Sequence, residues 1–257
     1  MTKIIAVINQ KGGVGKTTTA VNLSALLAEM GQRVLLVDLD PQGNASSGLG
    51  VAAGENCVYE VLLQRAKAAD CIQKTVQERL FVLPGDIRLA GAELELVAED
   101  KREFRLQETL ADIKSGYDFV LIDCPPSLSL LTVNAMAAAD SVLIPIQCEY
   151  YALEGVSSLM NTIARIKKTI NPRLAVEGIL LTMLDGRTNL GLQVVAEVKK
   201  HFRKQVYATT IPRSVRLGEA PSHGEPIHLY DPRSAGAEAY RALAREVLKA
   251  NGKREKK

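Results

Sequence analysis

The sequence predicts an α/β fold: a doubly wound, mostly parallel sheet of about seven or eight strands flanked by helices. Three observations carry this. Short apolar runs recur at Ile4 to Ile8, Val34 to Val37, Leu80 to Leu83, Phe119 to Ile122, Val142 to Ile146 and Ala175 to Leu184. They are nearly unbroken rather than alternating, as strands buried on both faces are. Stretches of helical spacing lie between them, so strand and helix alternate along the chain.

Taken in order, the first run is too short for a signal-peptide core and leads into Asn9-Gln10-Lys11 rather than a small-residue cleavage site. The first strand starts so near the N-terminus that no sequence-reading domain is expected before it. Helical spacing then covers Val21 to Met30, with Gly31 placed as a helix-ending glycine. Further helices are predicted over Val58 to Arg65, Leu106 to Lys114, Leu153 to Ile170 and Val194 to Phe202; Asn171-Pro172 stops the third of these. With 257 residues, 47% of them hydrophobic, the chain has enough apolar material for one core. We therefore predict a single domain over residues 1–250, followed by a basic, frayed tail over 251–257.

No apolar run approaches the roughly 20 residues that span a bilayer. The formal net charge of +3 is too small to announce a nucleic-acid binder by itself. Cys57, Cys71, Cys124 and Cys148 show no CxxC spacing and lie in or beside apolar runs, so they read as reduced core thiols. Tyr240, Leu243, Val247 and Leu248 share one helical face near the C-terminus, short enough to pack on the sheet.

The chemistry begins after the first strand, at Gln10-Lys11-Gly12-Gly13-Val14-Gly15-Lys16-Thr17-Thr18. A strand, a glycine-rich turn, Gly-Lys-Thr and a helix occur in the order of a phosphate-binding loop. Glycines let successive N–H groups of Gly12, Gly13, Val14 and Gly15 point at phosphate oxygens, and the helix start adds partial positive charge at Thr17 and Thr18. Lys16 reaches the β and γ phosphates of a nucleotide, and the Thr17 hydroxyl joins a Mg²⁺ shell. The strict pattern asks for glycine where this chain has Gln10.

Two further strands end in carboxylates. Val34 to Val37 runs into Asp38-Leu39-Asp40-Pro41, and Phe119 to Ile122 into Asp123-Cys124-Pro125-Pro126-Ser127. Carboxylates at the C-terminal ends of parallel strands face the ligand crevice. Asp123 follows four apolar residues, as the Walker B aspartate that holds Mg²⁺ through water does.

The departure from the strict loop, Lys-Gly-Gly-Val-Gly-Lys-Thr, resembles the deviant Walker A class of P-loop ATPases. The stretches at 147–155, Leu181 to Asp185, Ile211 to Arg216 and Glu219 to Ser222 resemble the ParA/Soj chromosome-partitioning family, over about Lys3 to Val247. The resemblance implies ATP and Mg²⁺ as cofactors and a weak, partner-stimulated ATPase. It implies that Lys11 crosses to the partner's nucleotide in an ATP-dependent homodimer, that Asp40 orients the attacking water, and that Asp38 lies near the metal's water shell. Pro212 and Arg213 then border the adenine. Arg187 and Arg216 fall where the family places arginines that bind double-stranded DNA non-specifically, and Lys199, Lys200 and Arg203 extend that patch. A ParB-like centromere-binding protein is the implied stimulating partner, and the implied location is cytoplasmic and nucleoid-associated. The related MinD-like ATPases dock on membrane through a C-terminal amphipathic helix; the charged terminus here lacks apolar anchors, and no membrane attachment is expected.

Overall fold

Although the apolar runs look unbroken, their side chains sort by parity onto the two faces of one sheet. Ile4, Ala6, Ile8, Leu35, Val37, Val120 and Ile122 join one hydrophobic core, whereas Ile5, Val7, Val34, Leu36, Phe119 and Leu121 join the other. A period of two with both faces buried is what a sheet covered by helices on each side requires.

The computed structural model describes residues 1–149 and 152–256. Tyr150 and Tyr151, within the family-like stretch 147–155, lie outside the described residues, as do the side chains of Ala152, Glu154 and Lys204. The strands are β1 (Lys3–Val7), β2 (Val34–Asp38), β3 (Gln73–Lys74), β4 (Leu80–Leu83), β5 (Phe119–Asp123), β6 (Ser141–Gln147), β7 (Ala175–Leu184) and β8 (Val206–Pro212). The helices are α1 (Lys16–Glu29), α2 (Asn44–Ser47), α3 (Val58–Leu62), α4 (Ala68–Cys71), α5 (Leu89–Leu96), α6 (Arg105–Ile113), α7 (Leu130–Ala138), α8 (Ala152–Thr169), α9 (Asn189–Phe202), α10 (Val215–Glu219), α11 (Ile227–Tyr230) and α12 (Ala235–Ala250).

The eight strands lie in the order β3-β4-β2-β5-β1-β6-β7-β8. Every pairing is parallel except that of β3 with β4. From β1 the chain passes through α1 to β2 on one side, and from β5 it later crosses through α7 to β6 on the other. β1 is therefore the topological switch point, and the crevice beyond its C-terminal end is where such sheets bind ligands.

α1 is buried nearly all round, from Thr19 to Ala28. It lies between the sheet and α12, where the Thr19 and Tyr240 hydroxyls share a hydrogen bond of 3.1 Å. The C-terminal stripe of Tyr240, Leu243, Val247 and Leu248 is thus spent on this core, each residue 3% exposed or less. No helix among the described residues is long and apolar enough to cross a membrane.

The tail differs from the frayed end that its charge run predicts. Lys256 N–H donates to the Met30 carbonyl at 3.0 Å, and the Gln32 side-chain amide donates to the Arg254 carbonyl at 2.9 Å. Lys253 sits 4.3 Å above the Phe119 ring, and its ammonium and that of Lys256 both reach Asp118. The reason is that α1 ends with open carbonyls, which the returning chain satisfies. Gly31 makes this possible: its φ is +83°, and a Cβ there would lie 2.6 Å from the Lys256 carbonyl oxygen.

Candidate functional site

The loop between β1 and α1 is pinned from both sides. Asn9 donates to the Pro145 carbonyl at 2.7 Å and accepts from Lys11 N–H at 3.0 Å, tying the loop to β6. The Thr182 hydroxyl donates to the Val14 carbonyl at 2.9 Å, tying it to β7. Gly13 and Gly15 adopt left-handed φ of +73° and +88°, which glycine tolerates and other residues resist. Gly15 is the N-cap of α1 and offers no side-chain cap. The open first-turn N–H groups of a 14-residue helix consequently face the loop, a ready site for an anion. Lys16 is buried and curls back so that Nζ donates to the Lys11 carbonyl at 3.2 Å. Burial pulls its pKa below the usual lysine range, while the nearby Asp123 charge pulls it back up.

Asp38 and Asp123 sit opposite each other in register at the ends of β2 and β5, both fully buried. Their surroundings differ. Asp38 Oδ2 accepts from the Ser46 N–H at 2.8 Å and hydroxyl at 2.7 Å, and its Oδ1 accepts from Asp40 N–H at 3.2 Å. Neither oxygen of Asp123 has a hydrogen-bond partner among the described residues. Burial first, and the Asp38 charge second, push the Asp123 carboxyl well above the ordinary range. Asp38 is pushed up to about 6, also mainly by burial. Asp40 is 8% exposed, and its Oδ1 accepts from Gln42 N–H at 3.0 Å.

A buried carboxylate pair of which one member, Asp123, is orphaned, facing one lysine, is short of positive charge once ionised. A divalent cation with waters in its shell fits that chemistry, with Asp123 offering open lone pairs and the neighbouring Thr17 hydroxyl a further oxygen. The burial has a consequence for stability. A carboxyl whose folded pKa is raised costs nothing when protonated and destabilises once ionised. The cost therefore appears as pH rises from about 4 through the folded value. The nucleotide-free protein is expected to gain thermal stability as pH falls from about 7 to about 5, with Asp38 near 6 setting the window. Asp123→Asn should raise the nucleotide-free midpoint at neutral pH and abolish the Mg²⁺-dependent part of any ATP-induced rise. A lowered midpoint without nucleotide would show that the Asp123 charge is already compensated.

Gly85, just after β4, backs this arrangement. A Cβ there would lie 2.3 Å from the Asp38 carbonyl oxygen, and Gly85 N–H donates to Ser46 Oγ at 3.2 Å. Gly85→Ala is expected to displace the Asp38–Asp40 turn and cost about 1–3 kcal/mol of stability, read by denaturant unfolding. No loss would mean the turn has room to move.

Beside the loop lies a cavity of about 220 Å³ lined by Gly15, Thr18, Thr182, Met183, Pro212 and Arg213, among others. The structure thus brings Pro212 and Arg213 to the loop although they are far away in sequence. Arg213 N–H donates to the Leu184 carbonyl at 3.1 Å, which joins the ends of β7 and β8. Met183 holds a left-handed φ of +53°, a strained conformation that the surrounding packing must sustain. Asn9 and Ser46 belong to no motif recognised in the sequence, and Thr182 and Met183 lie in the family-like stretch Leu181 to Asp185 without a chemical role read for them there. The signal all four share is position, beside the C-terminal ends of strands or just after them.

Lys11 is half-exposed, and its Nζ pairs with Glu149 Oε2 at 3.2 Å across the mouth of the loop. Arg187 and Arg216 follow the adjacent strands β7 and β8 and emerge at the same end of the sheet as the loop. Lys199, Lys200 and Arg203 do not extend that patch. They lie at the far end of α9, whose 14 residues span about 21 Å from the Arg187 end. All four cysteines are free and buried, and burial pushes the Cys124 thiol far from ionisation. Cys124 is no nucleophile.

Comparison with known proteins matches this architecture. The AAA domain family matches residues 2–176. The sporulation initiation inhibitor protein Soj of Bacillus subtilis (strain 168) is 63% identical over 254 residues, covering 98% of this chain and 100% of that protein. The chromosome partitioning protein ParA of Myxococcus xanthus (strain DK1622) is 55% identical over 249 residues, covering 96% and 88%. A crystal structure of cobyrinic acid a,c-diamide synthase from Mycobacterium smegmatis with bound ADP and magnesium superimposes with a TM-score of 0.86 at 39% identity, covering 98% and 96%. That name belongs to the mycobacterial protein, and the higher identities over nearly the whole chain lie with partition proteins. The chain belongs to the ParA/Soj family of chromosome-partitioning ATPases.

Proposed function

We propose that the protein is an ATP-driven partition switch. It binds ATP with Mg²⁺, closes with a second copy face to face, and as a dimer binds double-stranded DNA without sequence preference. A ParB-like centromere-binding protein then stimulates hydrolysis and releases it. The observation that carries the reading is the buried Asp123 carboxylate, with both oxygens unpartnered, facing Lys16 and an uncapped helix start.

Asp123 and Thr17 would hold Mg²⁺, which would supply positive charge against the phosphates. The chain's own residues do the rest. Loop N–H groups and Lys16 hold the phosphates, and the cavity by Pro212 and Arg213 receives the base. Asp38 acts at one remove, holding the Asp40 turn and facing the metal's water shell. Asp40 orients the attacking water. Lys11 leaves Glu149 and meets the γ-phosphate of the partner's nucleotide, as an arginine finger does. Without a partner to complete closure, turnover is slow.

Exposed apolar side chains support the face-to-face contact. Ile87, Leu128, Leu190, Leu192 and Val215 are 41–76% exposed, on segments that follow β4, β5, β7 and β8 at the loop end of the sheet. Apolar side chains gathered at one end around a ligand crevice suit an interface that forms over it. Light scattering should give one subunit with ADP and two with ATP and Mg²⁺. Lys11→Ala should retain ATP but lose dimer stability and turnover. An undiminished dimer with normal turnover would remove Lys11 from the mechanism.

A further inference from the structure

The two arginines assigned to DNA are not free cations in the isolated chain. Arg187 Nε and Nη2 donate to Asp185 Oδ1 and Oδ2 at 2.9 and 2.8 Å, a two-pronged fork, and its backbone N–H donates to the same Oδ1 at 3.1 Å. Arg216 Nη1 donates to Glu219 Oε2 at 2.9 Å, while its Nε lies 3.5 Å from Asp231 Oδ2. The Tyr230 hydroxyl donates to the same Glu219 oxygen at 3.3 Å, fixing the acceptor. These carboxylates come from different places, Asp185 after β7, Glu219 ending α10, and Asp231 following α11. Two guanidinium groups at one end of the sheet, Arg187 in the loop after β7 and Arg216 in α10 after β8, are thus each paired by carboxylate.

A guanidinium fork that serves a carboxylate presents those donors to nothing else, and the pair carries no net charge toward a phosphate. The Arg187 guanidinium holds the Asp185 carboxyl down at about 2, so this pair stays ionised throughout the neutral range. Both pairs are solvent-exposed, with Arg187 at 91% and Arg216 at 56%, so each exchanges its acceptor at little cost.

We propose that Asp185, Glu219 and Asp231 set the affinity of the DNA face by occupying Arg187 and Arg216, so that binding is an exchange of carboxylate for phosphate. This rests on the DNA reading given above. One chain then presents no net positive charge from these groups, and a dimer, which doubles arginines and carboxylates alike, holds DNA by engaging two such faces at once. The device makes DNA contact conditional on dimerisation without altering the nucleotide site. Asp185 also faces Arg213 at the nucleotide cavity, so Glu219 supplies the cleaner single test.

The test is binding of a non-specific duplex by Glu219→Gln and by Asp185→Asn with Glu219→Gln, with affinity expressed per dimer. Both substitutions keep side-chain shape; each removes the charge and turns one acceptor oxygen into an NH2 donor, so the arginine loses its ion pair and, at Asp185, its two-pronged acceptor. The double variant should bind about 5-fold or more tighter with ATP and Mg²⁺, with a salt slope steeper by roughly 0.9 per freed cation, and should show binding with ADP. Glu219→Gln alone should move the same way by less. Wild-type affinity and slope in both variants would overturn the proposal. Arg187→Ala with Arg216→Ala separates the two ways of failing. Full DNA binding without the arginines would remove the DNA face itself, whereas its loss, beside unchanged carboxylate variants, would remove only the masking.

Discussion

Lys16→Ala is expected to remove measurable ATP binding, a loss of roughly 100-fold or more in affinity. Among the described residues Lys16 is the one buried ammonium at the mouth of a loop that otherwise offers backbone dipoles. The hydrogen bonds proposed for it to two phosphates would be charge-assisted, each worth about 1.5–3 kcal/mol. The loss compounds, because Lys16 also faces Asp123 and Asp40. Without the ammonium an incoming polyphosphate meets these carboxylates with only backbone N–H dipoles to offset them. Isothermal titration with ATP and Mg²⁺ would show the loss, and full affinity would refute the loop assignment. A Lys16→Arg variant keeps the charge with different reach, so its failure to restore affinity would localise the effect to geometry.

Asp40→Ala acts on turnover rather than on binding. Hydrolysis should fall by about 100-fold or more, the usual scale for a lost group that positions or activates a nucleophile. The ATP-bound dimer should then accumulate and remain on DNA. Asp40 is nearly buried, but its loss forfeits one hydrogen bond to Gln42, and the turn keeps its support from Asp38, Ser46 and Gly85. Asp40→Asn, which keeps an acceptor for Gln42 N–H, separates the chemical role from the structural one. Normal hydrolysis in either variant would take Asp40 out of the mechanism.

Much of this architecture could be read from residue order because parallel strands buried on both faces must be apolar throughout. All six such runs are strands of the sheet. Two strands escaped notice for opposite reasons. β3 is two residues long, and β8 is an edge strand, Val206–Pro212, whose polar middle is partly exposed. The tail misled because a run of charges ordinarily marks solvated chain. Here its carbonyls and amides complete the end of α1, a demand visible only once α1 and the tail meet.

At the site, the loop and the strand-end carboxylates announce themselves by spacing. What spacing hides is the difference between two adjacent aspartates. Asp38 is satisfied by Ser46, eight residues on, and Asp123 by no hydrogen-bond partner among the described residues. Thr182 and Met183 lie in a family-like stretch whose residues announce no chemistry, and they matter because β7 ends against the loop. Helical periodicity likewise places Lys199 and Arg187 near one helix without saying that they stand at opposite ends.

The most direct test of the partition switch is the binding of a non-specific DNA duplex without nucleotide, with ADP and Mg²⁺, and with ATP and Mg²⁺, each at two salt concentrations. Tight binding only with ATP, weakening steeply with salt as released counterions demand, is the predicted result. Equal binding in all three states, or none in any, would contradict it.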